Sequence, residues 1–166
     1  RQGFERTLRK LQKYVRVTPY VNGRIFDQAT SSWTANNGAA RKAAAKNVNK
    51  TNPHNLSLYN ESYGSKAVFA VMCPHTNYWQ HTMSTVVGTL TNKYETDGVY
   101  VDQIAAAGPR PCWDPTHNHT LGGGNHWTSG YNQMLQDMRA VAGPTKLLLT
   151  ESNAESFMGN LDMYLT

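Results

Sequence analysis

Gly98-Val99-Tyr100-Val101-Asp102 (GVYVD), continuing into Gln103-Ile104, is the stretch that decides the fold. A run this short, apolar almost throughout and bounded by polar residues, reads as a strand covered on both faces, the kind that parallel sheets contain. Asp102 stands at its C-terminal end. Before it, Trp79, Met83, Val86, Val87 and Leu90 recur at helical spacing and predict a helix over 77–93. After it, Tyr131, Met134, Leu135 and Met138 predict another over 129–142, stopped by Gly143-Pro144. KLLLTES (146–152) repeats the strand pattern with Glu151 in the place of Asp102, and LDMYLT (161–166) follows as a last strand.

Toward the N-terminus, Phe4, Leu8, Leu11 and Val15 predict an amphipathic helix over 4–16 with a basic outer face. VTPYVNGR (17–24) reads as a strand ending in an Asn22-Gly23 turn, and KAVFAVMCP (66–74) as a further buried strand. Between them, residues 27–63 are dominated by Asn, Ser and Thr, with an alanine-rich helix expected around 38–48. That is too long for a plain connection and predicts a functional excursion over one face.

Apolar strands alternating with amphipathic helices indicate an α/β fold with a parallel sheet. A doubly wound sheet and a (β/α) barrel both fit. Gly122-Gly123-Gly124 has no strand before it and no Lys-Ser/Thr after it, so the phosphate fingerprint of doubly wound folds is missing. Polar residues recur instead at strand C-termini: Asn22 and Arg24, His75, Asp102 and Gln103, Glu151 and Asn153. Barrel active sites are built that way. The expectation is a partial (β/α)8 TIM-type barrel with parallel strands and a long loop excursion. About five strands can be counted where a full barrel has about eight. Residues 1–166 are therefore expected to be part of one barrel catalytic domain, a fragment whose partner is the rest of its own barrel chain.

Hydrophobic residues make up 39% and charged residues 16%, which excludes a disordered chain, and no apolar run approaches membrane-spanning length. The net charge of +5 comes from basic residues gathered in the first fifty positions, Arg6, Arg9, Lys10, Lys13, Arg16, Arg41, Lys42, Lys46 and Lys50. Without a nucleic-acid motif they read as solvated helix faces, so neither nucleic acid nor membrane is expected as a partner. Cys73 and Cys112 permit one disulfide without requiring it. Sequons at Asn49, Asn55, Asn60 and Asn118 fit a secreted or extracellular glycoprotein.

The chemistry centres on Asp102 and Glu151, acids at the ends of strands one βα unit apart. Glycoside hydrolysis needs such a pair, one group to attack or to activate water and one to protonate the leaving oxygen. Their mutual repulsion would raise one pKa and prepare the acid. The structural alternative for each is a loop cap or a partner for Arg24 or Arg110. The loop CWDPTHNHTLGGGNHW (112–127) brings Trp113, His117, His119 and Trp127, groups suited to stacking on sugar faces and bonding to hydroxyls. Tyr20, Asn22 and Arg24 on the first strand complete the candidate substrate-binding set. Glu155, four residues beyond Glu151, is a reserve acid. His117-x-His119 with Cys112 and Asp114 nearby could bind zinc, yet the spacing matches no specific zinc pattern and HExxH is absent. No metal and no cofactor are expected. The cysteine carries no mark of an activated nucleophile, and no G-x-S-x-G elbow occurs.

Together, YVNGR, AVMCP with Trp79 shortly after, DGVYVDQI, the 112–127 loop and LLLTESNAE resemble a poorly characterised group of (β/α) barrel glycoside hydrolases. These are similar in layout to retaining α-glycosidases of the α-amylase and endo-α-N-acetylgalactosaminidase kind. The resemblance runs from about Val17 onward and is most specific over 97–127. It implies a carbohydrate substrate, a nucleophile's role for Asp102 and an acid/base role for Glu151. The amylase pattern has an arginine two residues before its aspartate, where this chain has Tyr100. The expected function is a glycoside hydrolase, retaining by resemblance, cleaving a polysaccharide or glycan. The alternatives are a non-catalytic carbohydrate-binding or structural barrel relative and a metal-dependent hydrolase using His117 and His119.

Overall fold

A computed structural model describes residues 2–35, 39–49, 52, 55–64, 66–152 and 154–166. Asn153, Lys50 and the start of the alanine-rich segment at Gly38 lie outside the described residues. In chain order the elements are α1 (Gln2–Leu11), β1 (Tyr20–Asn22), β2 (Ile25–Asp27), α2 (Ser31–Thr34), β3 (Ala45–Asn47), β4 (Leu56–Leu58), β5 (Asn60–Glu61) and β6 (Phe69–Val71). They continue with α3 (Asn77–Gly88), β7 (Gly98–Asp102), α4 (His126–Ala142), β8 (Leu147–Glu151) and β9 (Met163–Leu165). The chain divides into two compact units. The first comprises Arg1–Gly23, Thr82–Ala107 and Leu135–Thr166, the second Arg24–His81 and Gly108–Met134.

The first unit holds a parallel sheet in the order β1-β7-β8-β9. Spatial order follows chain order without reversal. Consecutive units of a (β/α) barrel do this, whereas a doubly wound sheet reverses at a switch point. Val99, Val101 and Leu148 are fully buried, as strands covered on both faces require. Met83 and Val87 of α3 and Leu135, Met138 and Ala142 of α4 supply the helical side of this core. Thr89–Lys93 extend α3 as one wider, π-type turn, in which Thr91 is buried and donates to the Val87 carbonyl at 2.9 Å.

Two aspartates fasten the N-terminal end of this sheet. Asp97 accepts from Val17 N at 2.8 Å, donates its own N–H to the Val17 carbonyl at 3.0 Å, and its carbonyl accepts from Leu147 N at 2.9 Å. Asp162 accepts from Leu148 N at 2.7 Å and pairs with Arg139. α1 is shorter than its apolar spacing predicts. Leu8 alone of the four spaced residues is buried, while Phe4 meets Tyr94 edge-on at 5.5 Å.

The second unit departs from the expected pattern. β6, predicted from KAVFAVMCP as another buried strand of the parallel sheet, pairs antiparallel with β2 and β5 instead. The alanine-rich segment is not a helix: a 3-10 turn at Ala39–Lys42 leads into β3, which forms a hairpin-like pair with β4. Ala43, Ala44 and Ala45 are all buried, which one helix face cannot do for three successive residues. Ala43 bridges to Met72, and Ala44 N donates to the Val71 carbonyl at 2.7 Å. Strand pairing here overrides alanine's helix propensity.

β7 and β8 approach closely at Gly98, where a Cβ would lie 2.2 Å from the Leu147 carbonyl oxygen. Gly98→Ala is expected to destabilise the full-length protein by about 1–3 kcal/mol, the usual cost of overpacking. Urea denaturation checks this, with Gly3→Ala, which meets nothing within 4 Å, as the control.

Candidate functional site

Parallel register sets the first cluster. β1 pairs with β7 so that Tyr20 lies opposite Tyr100 and Asn22 opposite Asp102. β7 pairs with β8 through Tyr100 and Leu149, and two residues further on the same register brings Asp102 alongside Glu151. Residues i and i+2 share a strand face, so Tyr20 with Asn22, and Tyr100 with Asp102, project the same way.

Asp102 is 8% exposed. Its Oδ2 accepts from the Tyr20 hydroxyl at 2.7 Å, and its Oδ1 accepts from Gln103 N at 2.7 Å and from the Tyr100 hydroxyl at 3.4 Å. Tyr20 in turn accepts from Asn22 Nδ2 at 3.1 Å, and the two tyrosine rings meet edge-on at 5.6 Å. Burial and the Asp102 and Glu151 charges push the Tyr100 phenol up to about 12. It therefore stays a donor. Burial, with Asp102, also pushes Tyr20 upward, against the opposing bond from Asn22.

Glu151 is exposed, and its carboxyl shares a hydrogen bond with Asp102. That bond, then the Asp102 charge, raises the Glu151 pKa above the ordinary carboxylate range. The proximity of the two acids thus favours the protonated form of Glu151. Both are followed by non-glycine residues in the left-handed region, Gln103 at φ 65° and Ser152 at φ 55°. The chain thus turns sharply out of each strand directly after its acid, an uncommon conformation for such residues.

The second unit contains a different cluster. Cys73, Cys112, His117 and His119 present donor atoms that all lie within 4.8 Å of one another. Cys73 follows β6, and His117 closes a 3-10 turn at Pro115–His117 that Asp114 caps by accepting from Thr116 N at 2.8 Å. The cysteines are free and buried. Their mutual hydrogen bond pulls the Cys112 thiol below the ordinary range and pushes Cys73 above it.

The candidate residues from sequence thus separate. Tyr20 and Asn22 join Asp102 and Glu151 in the first unit, and Glu155 lies exposed in a 3-10 turn of that unit. Arg24 is 2% exposed and bonds both Glu61 carboxylate oxygens, at 2.5 and 2.6 Å. Tyr63 also donates to Glu61, and Arg110 lies 3.6 Å from it. The acid that pairs with Arg24 and Arg110 is therefore Glu61. Trp127 is buried edge-on to Tyr131 at 5.2 Å with Arg24 at 6.0 Å from its ring, and Trp113 packs on Gly122. His117 and His119 are drawn to the cysteines. Sequence reasoning missed Tyr100 as a donor, although its alternation with Asp102 on one strand was there to read. It also missed Cys73, which nothing local links to Cys112.

Residues 1–166 match a family described as a domain of unknown function, DUF6259. Two curated relatives carry the name "Putative glycoside hydrolase". The one from Monosiga brevicollis is 42% identical over 98% of this chain, and the one from Bacteroides thetaiotaomicron is 34% identical over 98%. The chain spans 14% and 23% of their respective lengths. Among solved structures, it is similar to an α-galactosidase from Thermus thermophilus in complex with stachyose, with TM-score 0.67 and 9% identity over 96% of this chain and 30% of that one. An α-N-acetylgalactosaminidase from Bifidobacterium bifidum, in complex with GalNAc, gives TM-score 0.67 and 10% identity over 98% and 23%. At these identities the likeness carries the fold, the partial (β/α) barrel that the uninterrupted strand order indicates. By its match over its whole length, the chain belongs to the DUF6259 family.

Proposed function

We propose that this chain is part of the catalytic barrel domain of a secreted glycoside hydrolase in which Asp102 and Glu151 are the working carboxylates. The observation that carries the reading is the pair of adjacent carboxyls at the ends of β7 and β8, where Asp102 raises the pKa of Glu151. Names of relatives and the company of glycosidase folds support it. Asp102, held by the Tyr20 and Tyr100 hydroxyls and Gln103 N, acts as nucleophile toward an α-linked sugar. Glu151 is exposed, its pKa is raised by Asp102, and it acts as acid, then as base. Retention needs a gap of about 5–5.5 Å between the two carboxyls. The exposed Glu151 side chain swings away from Asp102 when the sugar enters, while Asp102 stays anchored. Secretion rests on the sequons, whose asparagines Asn49, Asn55, Asn60 and Asn118 are all exposed.

Two measurements test this in the full-length protein. Asp102→Asn is expected to abolish hydrolysis of aryl α-glycosides with the fold retained by circular dichroism. Glu151→Gln should lower kcat by about 10²–10⁴, as loss of general acid catalysis does, and less for substrates with better leaving groups. Binding of glycans without turnover by the unsubstituted protein overturns the reading in favour of a non-catalytic carbohydrate-binding barrel.

The pH prediction concerns the pair. Removing the Asp102 charge stabilises ionised Glu151, so in Asp102→Asn its carboxyl should titrate lower than in the unsubstituted protein. Carbon-detected NMR titration of the side-chain carboxyl checks this. The sign for stability follows from the raised folded-state pKa. The folded chain holds a proton that the unfolded chain releases, so this group's contribution is full below the unfolded value. It is lost as pH rises through the raised one.

A further inference from the structure

The Cys73, Cys112, His117 and His119 cluster is separate from the carboxylate pair and has no part in the proposed hydrolysis. We propose that these four residues bind one zinc ion in a closed tetrahedral site that fastens the loop after Cys112 to the end of β6.

The geometry fits an ion of that size. Zinc–sulfur bonds of about 2.3 Å and zinc–nitrogen bonds of about 2.0–2.1 Å make the sulfur–nitrogen edge of a tetrahedron about 3.6 Å. Cys73 Sγ lies 3.4 Å from His119 Nε2, and Cys112 Sγ lies 3.4 Å from His117 Nδ1. All four donor atoms fall within 4.8 Å of one another.

The far side of each imidazole points to the same conclusion. His117 Nε2 lies 2.9 Å from the Arg41 carbonyl, and His119 Nδ1 lies 2.9 Å from the Thr120 carbonyl. A carbonyl only accepts, so those nitrogens carry the hydrogen, and in each neutral ring the nitrogen facing a sulfur keeps its lone pair. Metal-ligating histidines are fixed by this outer bond. Ala45 N donates to Cys112 Sγ at 3.5 Å, a contact that fixes the position of that sulfur. A disulfide would use the sulfurs and leave both ring nitrogens facing a bonded sulfur that no longer takes part.

The ligand set identifies the metal and its role. Two thiolates and two imidazoles suit zinc, and four protein ligands leave no open position for a substrate or water. The site is therefore structural. The loop it holds has only one 3-10 turn of regular structure between Gly108 and His126, so the ion supplies cohesion that an apolar core does not.

The test uses the full-length protein purified from zinc-supplemented culture without chelator. Elemental analysis should give about one zinc per chain, falling below about a tenth in Cys73→Ser and His119→Ala, since structural sites bind tightly only with all ligands present. A second readout, independent of the folding of those variants, needs no substitution. The unsubstituted protein exchanged with cobalt(II) should show thiolate-to-cobalt charge-transfer absorption and the intense visible bands of tetrahedral coordination. A Cys73–Cys112 disulfide by mass spectrometry overturns the proposal. So do two freely alkylated thiols in metal-free protein, iron or copper in place of zinc, or octahedral cobalt bands. Loss of activity in Asp102→Asn with zinc retained separates this site from the carboxylate pair.

Discussion

The register of β7 between β1 and β8 is the constraint on which the rest depends. Because strand side chains alternate, a slip of one residue would send Asp102 to the opposite face and separate it from both Tyr20 and Glu151. Several contacts hold that register. Asp97 bonds to Val17 on one side and to Leu147 on the other, and Gly98 permits a backbone approach that no side chain allows. At the far end, Gly23 N donates to the Asp102 carbonyl at 3.1 Å, and a Cβ on Gly23 would lie 2.8 Å from Val101. Glycines thus tighten β7 at both ends.

Much of the first unit was legible because its signals are local. GVYVD and LLLTE are apolar runs with a terminal acid, and the 3.6-residue spacing of 77–93 and 129–142 marks α3 and α4 with little error. The strand-end positions of Asp102 and Glu151 follow from those boundaries. What was not legible is choice of partner. KAVFAVMCP has the same apolar pattern as the parallel strands, since the pattern reports burial and not direction. It lies instead in an antiparallel sheet. Arg24 was read as a sugar ligand because its true counterpart, Glu61, lies in a polar stretch with nothing to mark it. Cys73 and Cys112 belong to separate segments, so Cys112 could be grouped with His117 and His119 but Cys73 could not.

Both segments of the second unit are connections, one leaving the end of β1 and leading to α3, the other leaving β7 and leading to α4. Buried polar groups here stand beside an apolar set that includes Trp33, Val71, Met72 and Trp127. The Arg24–Glu61 pair, with Tyr63 donating to the same carboxylate, is buried at some desolvation cost. In exchange it fixes β2 and β5 in one geometry, because neither charge tolerates losing the other. Arg24 and Tyr63 hold Glu61 below the usual carboxylate range although burial acts the other way.

β7 and the residue before it carry an aspartate at each end, and the two do different work. Asp97 is consumed by backbone amides of its neighbours, while Asp102 is poised beside another acid. On the proposed function, durability and reactivity fall to opposite ends of a single β-strand, a few residues apart. A lineage that changes what it binds can rework the turns after Asp102 and Glu151 while the lower fastening goes on holding the strand. The same separation gives an engineer two independent handles, one for heat tolerance and one for chemistry.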